Sequence, residues 1–517
     1  MKLPAPKKKT GLDKDLKKIA VLEVATQEAG QRIFKVGISV LFLVVVWIIA
    51  TLGYYDVSIF ALTENSAFVV AACIIGGYMA LNIGANDVAN NVGPAVGSRA
   101  LTLAGALIIA AVFETAGAIL AGGDVVGTIK QGIIDPSLMA DANVFIQAMM
   151  AALLAAALWL NLATYIGAPV STTHSIVGAV MGSGIAATGF AAVNWITVSK
   201  IAASWVISPV LGGIVAAGFL AFIKFAIYNQ DDMAAAARRW VPVLVAIMAC
   251  TFSVYLVMKG LKKVWQPDGW MIVAFGGLAF AAAYTLVKPA VARASANLEN
   301  RRKAVSSLFT IPLICSAALL SFAHGANDVA NAVGPLAGIV EAASTGGISG
   351  KVDIPIWVMV VGAVGISAGL VLFGPRLIRT VGEQITKLDQ ARAFCVAMSA
   401  SITVIIASAL GLPVSSTHIA VGGVFGVGFL REWLSRRTRR ERALEAKAAD
   451  IAIHKPGAMS GTVDWEKEKK KLVKSRGRRL VRRSHLMTIV AAWVVTVPLA
   501  AILSALLFYV IRFFSQA

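Results

Sequence analysis

Two identical seven-residue stretches place polar side chains inside long apolar runs. Residues Gly84–Asn90 and Gly325–Asn331 both read Gly-Ala-Asn-Asp-Val-Ala-Asn. An aspartate at the centre of a helix that faces hydrocarbon costs roughly 2.5–3.5 kcal/mol on insertion scales, so Asp87 and Asp328 are expected to line a cavity or a binding site. A chance turn or a helix-packing glycine explains such a repeat poorly, and the repetition indicates internal duplication.

A second pair of motifs carries hydroxyl side chains. Gly167–His174 reads Gly-Ala-Pro-Val-Ser-Thr-Thr-His, and Gly411–His418 reads Gly-Leu-Pro-Val-Ser-Ser-Thr-His. Short apolar arms around a turn rich in Pro, Ser and Thr predict a re-entrant hairpin. Such a hairpin is tolerated at membrane depth only where it lines a cavity.

The spacing between the two kinds of motif also repeats. Asn86 and Ser171 are 85 residues apart, and Asn327 and Ser415 are 88 residues apart. Each half therefore has the order aspartate motif, span, loop, span, hairpin motif, which is typical of repeat-built secondary transporters. The glycines and Pro94 within the first motif region predict that its helix is interrupted there.

The four motifs together offer the donors that a tetrahedral oxyanion needs. A helix that begins at a break presents free backbone N–H groups and the positive end of its dipole. Asparagine side chains can donate or accept hydrogen bonds, and hydroxyl groups add further donors. The polar residues that we expect at one shared site are Asn86, Asn90, Asn327, Asn331, Ser171, Thr172, Thr173, Ser415, Ser416 and Thr417.

The two aspartates imply a cation beside the anion. Asp87 and Asp328 would repel a phosphate strongly in a low dielectric unless a bound cation or a proton neutralised them. Na⁺ held by the carboxylates, by the carbonyls of Asn86 and Asn327 and by freed backbone carbonyls would meet this need. Each ligand would then raise the affinity for the other, which is the thermodynamic basis of symport.

Other polar residues in the spans have less specific signals. Glu114 is a candidate proton or cation site, and a helix-packing role is an equally good interpretation. Its counterpart in the second half is apolar or small, Ile366 or Ser367, so Glu114 would be an asymmetric element. His174, His324 and His418 are more readily interpreted as structural, hydrogen-bonded histidines than as titrating groups.

Composition predicts an all-α polytopic membrane protein with about twelve spans. The 517 residues are 58% hydrophobic and only 14% charged, with a mean hydropathy of +0.77. Soluble domains carry about a quarter charged residues. Apolar runs of about twenty residues recur along the chain, as expected for membrane-spanning helices, whereas the alternating pattern of a membrane barrel is absent.

The net charge of +20 is concentrated in two segments. Residues 1–35 carry +5 and residues 431–485 carry +11. The positive-inside rule explains both segments if they lie in the cytoplasm, so we expect no nucleic-acid partner. The expected location is the inner (plasma) membrane, with the basic N-terminus and the 431–485 loop on the cytoplasmic side and the lipid bilayer as the surroundings.

These features predict six regions. A basic cytoplasmic segment at 1–32 precedes an extra span and loop at 33–65. Repeat 1 with its connecting spans covers 66–300, and repeat 2 covers 301–430. A basic loop at 431–485 and a C-terminal span at 486–517 complete the chain.

At the four motifs the sequence strongly resembles the inorganic phosphate transporter (Pit/PiT) family, and the resemblance covers about residues 66–512. It implies inverted repeats, a homodimer and phosphate uptake coupled to Na⁺ or H⁺. We expect no cofactor and no resident metal. In bacterial members, a neutral metal–phosphate complex is a further candidate substrate. Carried over motif by motif, the resemblance implies that phosphate or the coupling cation contacts Asp87, Asn90, Ser171, Thr172, Thr173, Asp328, Asn331, Ser415, Ser416 and Thr417.

Three alternatives remain open at the level of sequence. A symporter of another tetrahedral oxyanion, such as sulfate or arsenate, would use the same residues, because small differences in ligand size give only about 1–3 kcal/mol of discrimination. An intramembrane enzyme acting on phosphate esters would need a nucleophile, base and acid, and the sequence offers only scattered histidines, so we expect no catalytic residues. A phosphate-sensing receptor would need a signalling domain.

Overall fold

The computed structural model describes residues 11–54, 64–166, 170–260, 267–345, 354–384, 388–453 and 483–516. These residues form an almost entirely helical bundle. Eleven of the helical runs are long and apolar enough to cross a membrane, close to the twelve predicted. The prediction of an all-α polytopic protein is therefore confirmed.

The first half contains the helices α1 to α7. Their bounds are α1 Gly11–Tyr54, α2 Glu64–Asn86, α3 Val88–Gly97, α4 Leu103–Ala121, α5 Gly123–Gly127, α6 Ala142–Ile166 and α7 Thr172–Thr188. A π-helical turn at Thr128–Gly132 follows α5 directly.

Three helices, α8 to α10, then connect the halves, and the second half contains the helices α11 to α17. Their bounds are α8 Trp195–Ile223, α9 Met233–Tyr255, α10 Gly269–Ser295, α11 Arg302–Ser306, α12 Thr310–Asp328, α13 Ala330–Thr345, α14 Ile356–Gln384, α15 Gln390–Ala409, α16 Ser416–Ile453 and α17 Arg483–Gln516.

Each aspartate motif interrupts a helix, as predicted, but the interruption is narrow. The break between α2 and α3 falls at Asp87, and the break between α12 and α13 falls at Val329; both residues keep right-handed helical torsions. Pro94 and Pro335 lie inside α3 and α13. Proline has no N–H, so it cannot donate to the carbonyl four residues earlier in the helix. The carbonyls that lose a helical hydrogen bond in this way belong to Asn90 and Asn331, the last residues of the two motifs.

Two basic segments are more helical than the sequence suggested. α1 already begins at Gly11, and α16 continues through residues 431–453, which we expected to be part of a loop. Arg, Glu, Ala and Leu dominate this part of α16, and all four favour helix. The remainder of the basic region, 454–482, lies outside the described residues.

The two halves pack against each other in a reciprocal way. α2 contacts α14, and its counterpart α12 contacts α4; α7 contacts α17, and its counterpart α16 contacts α8. The first pair of contacts depends on glycine. A Cβ atom at Gly84 would overlap the carbonyl oxygen of Ile366, and one at Gly325 would overlap the carbonyl oxygen of Glu114. The equivalent positions therefore meet across the two halves.

The reciprocal packing has its centre at a hydrogen bond between α4 and α14. The hydroxyl groups of Thr115 and Ser367 lie 2.8 Å apart. These residues directly follow Glu114 and Ile366, so they occupy equivalent positions in the two halves. A contact between equivalent positions is expected where two repeats are related by a two-fold axis.

We expect Gly84→Ala and Gly325→Ala each to destabilise the protein by about 1–3 kcal/mol, because the added methyl group meets rigid backbone. Thermal unfolding of the purified protein in detergent would measure the loss. Gly218→Ala in α8 is the matched control, since a Cβ at that position has no described atom within 4 Å beyond its chain neighbours and the backbone of its own helix. A melting temperature of Gly325→Ala equal to that of the control would contradict the close packing of α4 and α12.

Candidate functional site

All four motifs meet at the centre of the bundle. Asp87 is buried and accepts hydrogen bonds on both carboxylate oxygens. Thr172 at the start of α7 donates to Oδ2 over 2.7 Å, and Thr417 in the first turn of α16 donates to Oδ1 over 3.1 Å. One aspartate therefore joins the two hairpins through residues that are 245 positions apart in sequence.

Each asparagine at the end of a motif contacts the hairpin of the opposite half. The carboxamide of Asn90 donates to the Thr417 hydroxyl over 2.8 Å. In the other half, Asn331 donates to the hydroxyls of Thr172 and Thr173 over 3.2 and 3.3 Å. Because 90 and 331 are equivalent positions, as are 173 and 417, the two halves exchange hairpins at the site.

The helices α7 and α16 both begin at this site. Ser171 caps α7 by accepting a hydrogen bond from the His174 N–H over 3.2 Å, and Ser415 accepts from the His418 N–H over 3.4 Å. The first-turn N–H groups that remain have no carbonyl one turn earlier, so each helix presents donors and the positive end of its dipole. Two such helix ends beside several hydroxyls can bind an oxyanion.

Asp328 lies in a different setting from Asp87. Its Oδ2 lies 2.9 Å from Nε2 of His324 as an ion-pair contact, and among the described residues neither of its oxygens has a hydrogen-bond partner. The hydroxyls equivalent to those that bind Asp87 lie elsewhere: Thr173 donates to the Val414 carbonyl over 3.0 Å, and Ser416 Oγ has no partner within the described part of the chain.

The first asparagine of each motif holds a neighbouring helix. Asn327 donates to the Ser408 hydroxyl over 2.9 Å and to the Leu412 carbonyl over 3.1 Å, and its carbonyl accepts from the Val414 N–H. Asn327 thus binds the turn of the second hairpin on both sides. Asn86 makes the equivalent contact to Thr164, over 3.2 Å.

The turn of the first hairpin lies partly outside the described residues, because these stop at 166 and resume at 170. The turn of the second hairpin is described. Gly411 adopts the left-handed φ of +68°, and its carbonyl accepts from the Thr128 hydroxyl over 2.7 Å. The π-helical turn after α5 therefore contacts this hairpin directly.

The residues that sequence reasoning underrated are His324 and Asn91. His324 lies four residues before Asp328, on the same face of α12, and its Nδ1 is 3.2 Å from Glu114 Oε1. Asn91 donates to the same glutamate oxygen over 2.9 Å. The only sequence signals were the one-turn spacing of His324 from Asp328 and the single change, Asn91 against Ala332, between the extended motif copies.

The other two histidines form a pair. The rings of His174 and His418 lie 5.0 Å apart, and Trp205 packs edge-on against His174 at 3.8 Å. The Trp205 indole N–H donates to the Pro413 carbonyl over 3.2 Å. This aromatic contact joins the first turns of α7 and α16.

Comparison with known proteins places this arrangement in a family. A sequence model described as "Phosphate transporter family" matches residues 83–504, which include all four motifs. The chain belongs to the phosphate transporter family. A Helicobacter pylori protein named "Putative phosphate permease" is 46% identical over 538 residues, covering 97% of this chain and 99% of that protein.

Relatives with lower sequence identity also match this chain over most of its length. A permease of Pyrococcus abyssi is 33% identical over 448 residues, covering 87% of this chain and 99% of that protein. A solved structure named "The sodium-dependent phosphate transporter" superposes with a TM-score of 0.73 at 34% identity, covering 86% of this chain and 99% of that chain.

We expect Asn327→Leu to loosen the turn of the second hairpin. The substitution leaves the Val414 N–H and the Leu412 carbonyl unpaired, at a cost of about 1–3 kcal/mol. Hydrogen exchange at residues 410–417 should therefore accelerate by about ten-fold or more. Asn82→Leu is the control, because Asn82 donates to the Tyr78 carbonyl and accepts from Asn161 over 3.5 Å, and neither contact involves the second hairpin. Equal exchange in both variants would show that Asn327 does not hold the turn.

Proposed function

We propose that the protein carries inorganic phosphate across a membrane in symport with a cation. Membership of the phosphate transporter family supports the substrate. The observation that carries the proposal is the position of Asp87, a buried carboxylate bound by one hydroxyl from each hairpin at the start of two helices. Donors for an anion and a carboxylate for a cation lie in the same place.

The anion would bind to the first turns of α7 and α16. Their free N–H groups, the six hydroxyls and the carboxamides of Asn90 and Asn331 supply the donors, and no arginine is needed. The six hydroxyls belong to Ser171, Thr172, Thr173, Ser415, Ser416 and Thr417. Thr172 and Thr417 already contact Asp87, so an anion that they bind would lie beside this carboxylate.

The coupling cation would bind to the aspartates. Asp328 Oδ1 and Asn331 Oδ1 are buried acceptors without a hydrogen-bond partner in the described residues, and oxygen ligands of this kind suit Na⁺ or a proton. Asn86 and Asn327 take part by holding the helices around the site. The superposed structure is named as that of a sodium-dependent transporter, which favours Na⁺ as the coupling ion.

Cation and anion would bind cooperatively because each removes the cost of the other. An aspartate next to a phosphate is strongly unfavourable at low dielectric, and a bound cation cancels this repulsion. The site with both ligands is then favoured over the site with the anion alone, so the anion binds well only together with the cation, which is the condition for coupled transport.

The two halves would form inverted repeats that rock about the shared site. The reciprocal contacts of α2 with α14 and of α12 with α4 support a two-fold relation. We further propose a homodimer in the inner membrane, with residues 1–32 and 431–485 in the cytoplasm, since their positive charge follows the positive-inside rule.

Phosphate uptake into proteoliposomes tests the function. We expect labelled phosphate to accumulate when an inward Na⁺ gradient is imposed and to accumulate much less with an inward proton gradient alone. Accumulation driven only by protons, especially if Mg²⁺ increased it, would identify H⁺ as the coupling ion and a metal–phosphate complex as substrate. Absence of uptake under both gradients by folded protein would contradict the proposal.

We expect Asp87→Asn and Asp328→Asn each to reduce coupled uptake by about a hundred-fold or more while the protein still folds. Removing one member of a buried charge pair costs about 3–5 kcal/mol, and each 1.4 kcal/mol is a factor of about ten. Initial uptake rates and elution from a sizing column are the measurements. Asp232→Asn, which changes an exposed cap of α9, should leave uptake unchanged. Near-normal uptake by both site variants would remove the aspartates from the mechanism.

A further inference from the structure

The two halves differ at one pair of equivalent positions, which is apolar in one half and ionisable in the other. The Asp87 half has Ile83 and Ile366, and the Asp328 half has His324 and Glu114. Each pair joins the helix that carries an aspartate to the helix packed against it, because α2 contacts α14 and α12 contacts α4. An apolar pair in one half is therefore replaced by two ionisable side chains in the other.

His324 lies between two carboxylates. Its Nδ1 is 3.2 Å from Glu114 Oε1 and its Nε2 is 2.9 Å from Asp328 Oδ2, and the three side chains are at most 1% exposed. A neutral imidazole has a single N–H and cannot donate on both sides. Each contact needs a proton, so the three groups together hold two protons and a net charge of −1, wherever those protons lie.

The same geometry makes His324 a poor metal ligand. Atoms of Asp87, His324 and Asp328 lie within 4.8 Å of one another, which is close enough for a shared ion. A ligating imidazole must direct an unprotonated nitrogen at the metal. Both nitrogens of His324 instead face carboxylate oxygens, so the ring contributes positive charge to the cluster while Asp328 keeps Oδ1 for an ion.

We propose that Glu114 and His324 form a resident ion pair, in which the imidazolium acts as a fixed counter-cation of Asp328 and Glu114 holds it in place. The inference deepens the proposed function, on which it rests. His324 neutralises part of the charge that mobile cations would otherwise have to neutralise, and Glu114 restores the balance, so the pair as a whole adds no net charge.

The contacts around Asp87 and Asp328 support the role of His324 as a counter-cation of Asp328. Asp87 is held by two neutral hydroxyls, one on each oxygen. Asp328 instead forms an ion-pair contact of 2.9 Å between Oδ2 and His324 Nε2, and neither of its oxygens has a hydrogen-bond partner among the described residues. The resident cation thus fixes the orientation of Asp328 and leaves one oxygen for a mobile cation.

Glu114 is a positioning residue on this account. Asn91 donates to Glu114 Oε1, the oxygen that also faces His324. Both contacts hold the glutamate on the side of the ring away from Asp328. The Asp87 half has no equivalent of this anchor, since Ile366 and Ala332 occupy the matching positions.

The test is the number of cations taken up with phosphate. The affinity of purified protein for labelled inorganic phosphate is measured against the concentration of the cation that drives wild-type uptake. The slope of the logarithmic plot counts the cations bound with each phosphate. We expect Glu114→Gln to lower the slope by one and His324→Gln to raise it by one, because each removes one charge. The double Gln variant should regain the wild-type slope.

Three further variants keep the test decisive. Glu114→Ile combined with His324→Ile copies the pair of the other half, so it should fold and also give the wild-type slope. Lys130 and Glu341 form a second buried ion pair, about 15 Å along α13 from Asn331 by the rise of a helix, and Gln at either position should leave the slope unchanged.

The outcomes separate this inference from the proposed function. If the phosphate affinity of the wild type does not depend on any cation, the proposed function is contradicted, and so is this inference, which rests on it. Cation-dependent binding by the wild type with unchanged slopes in both single Gln variants contradicts only the resident ion pair. Equal shifts in the Lys130 and Glu341 variants would also overturn it, because the effect would then be structural.

Discussion

A carboxylate bound by both hairpins is the interaction on which the site depends. Asp87 lies at the break of one helix and accepts hydroxyl groups from the first turns of two others. A buried aspartate in an apolar bundle is unfavourable unless donors or cations surround it. Here the donors come from both halves of the chain, so the protein can satisfy Asp87 only when the two halves are assembled.

The close packing of helices brings these groups together. Glycine at positions 84 and 325 lets each aspartate helix approach the backbone of a helix from the other half. This approach places Glu114 beside His324 and Thr115 beside Ser367. Bulkier residues at either glycine would separate the helices that carry the charged groups, so the packing of the bundle and the chemistry of its centre share the same residues.

The sequence predicted the parts of the site better than their pairing. The repeated motifs, their spacing and the apolar runs were sufficient to predict a duplicated helical membrane protein and a helix break at Asp87, because these features are local. The exchange of hairpins between halves was not predictable, since nothing in the sequence says which helix lies beside Asn90. His324 was underrated for the same reason: its partner Glu114 is 210 residues away. For the basic region 431–485 the charge pattern left a loop or short helices open, and it could not show that α16 continues as one helix through 431–453.

The central claim is that one anion binds where the four motifs meet. A crystal structure with arsenate would test it most directly, because arsenic gives an anomalous signal and arsenate closely resembles phosphate in shape. The account predicts one anomalous peak within hydrogen-bond distance of Thr172 and Thr417, between the first turns of α7 and α16. A peak in any other place, with none between these helix ends, would contradict it.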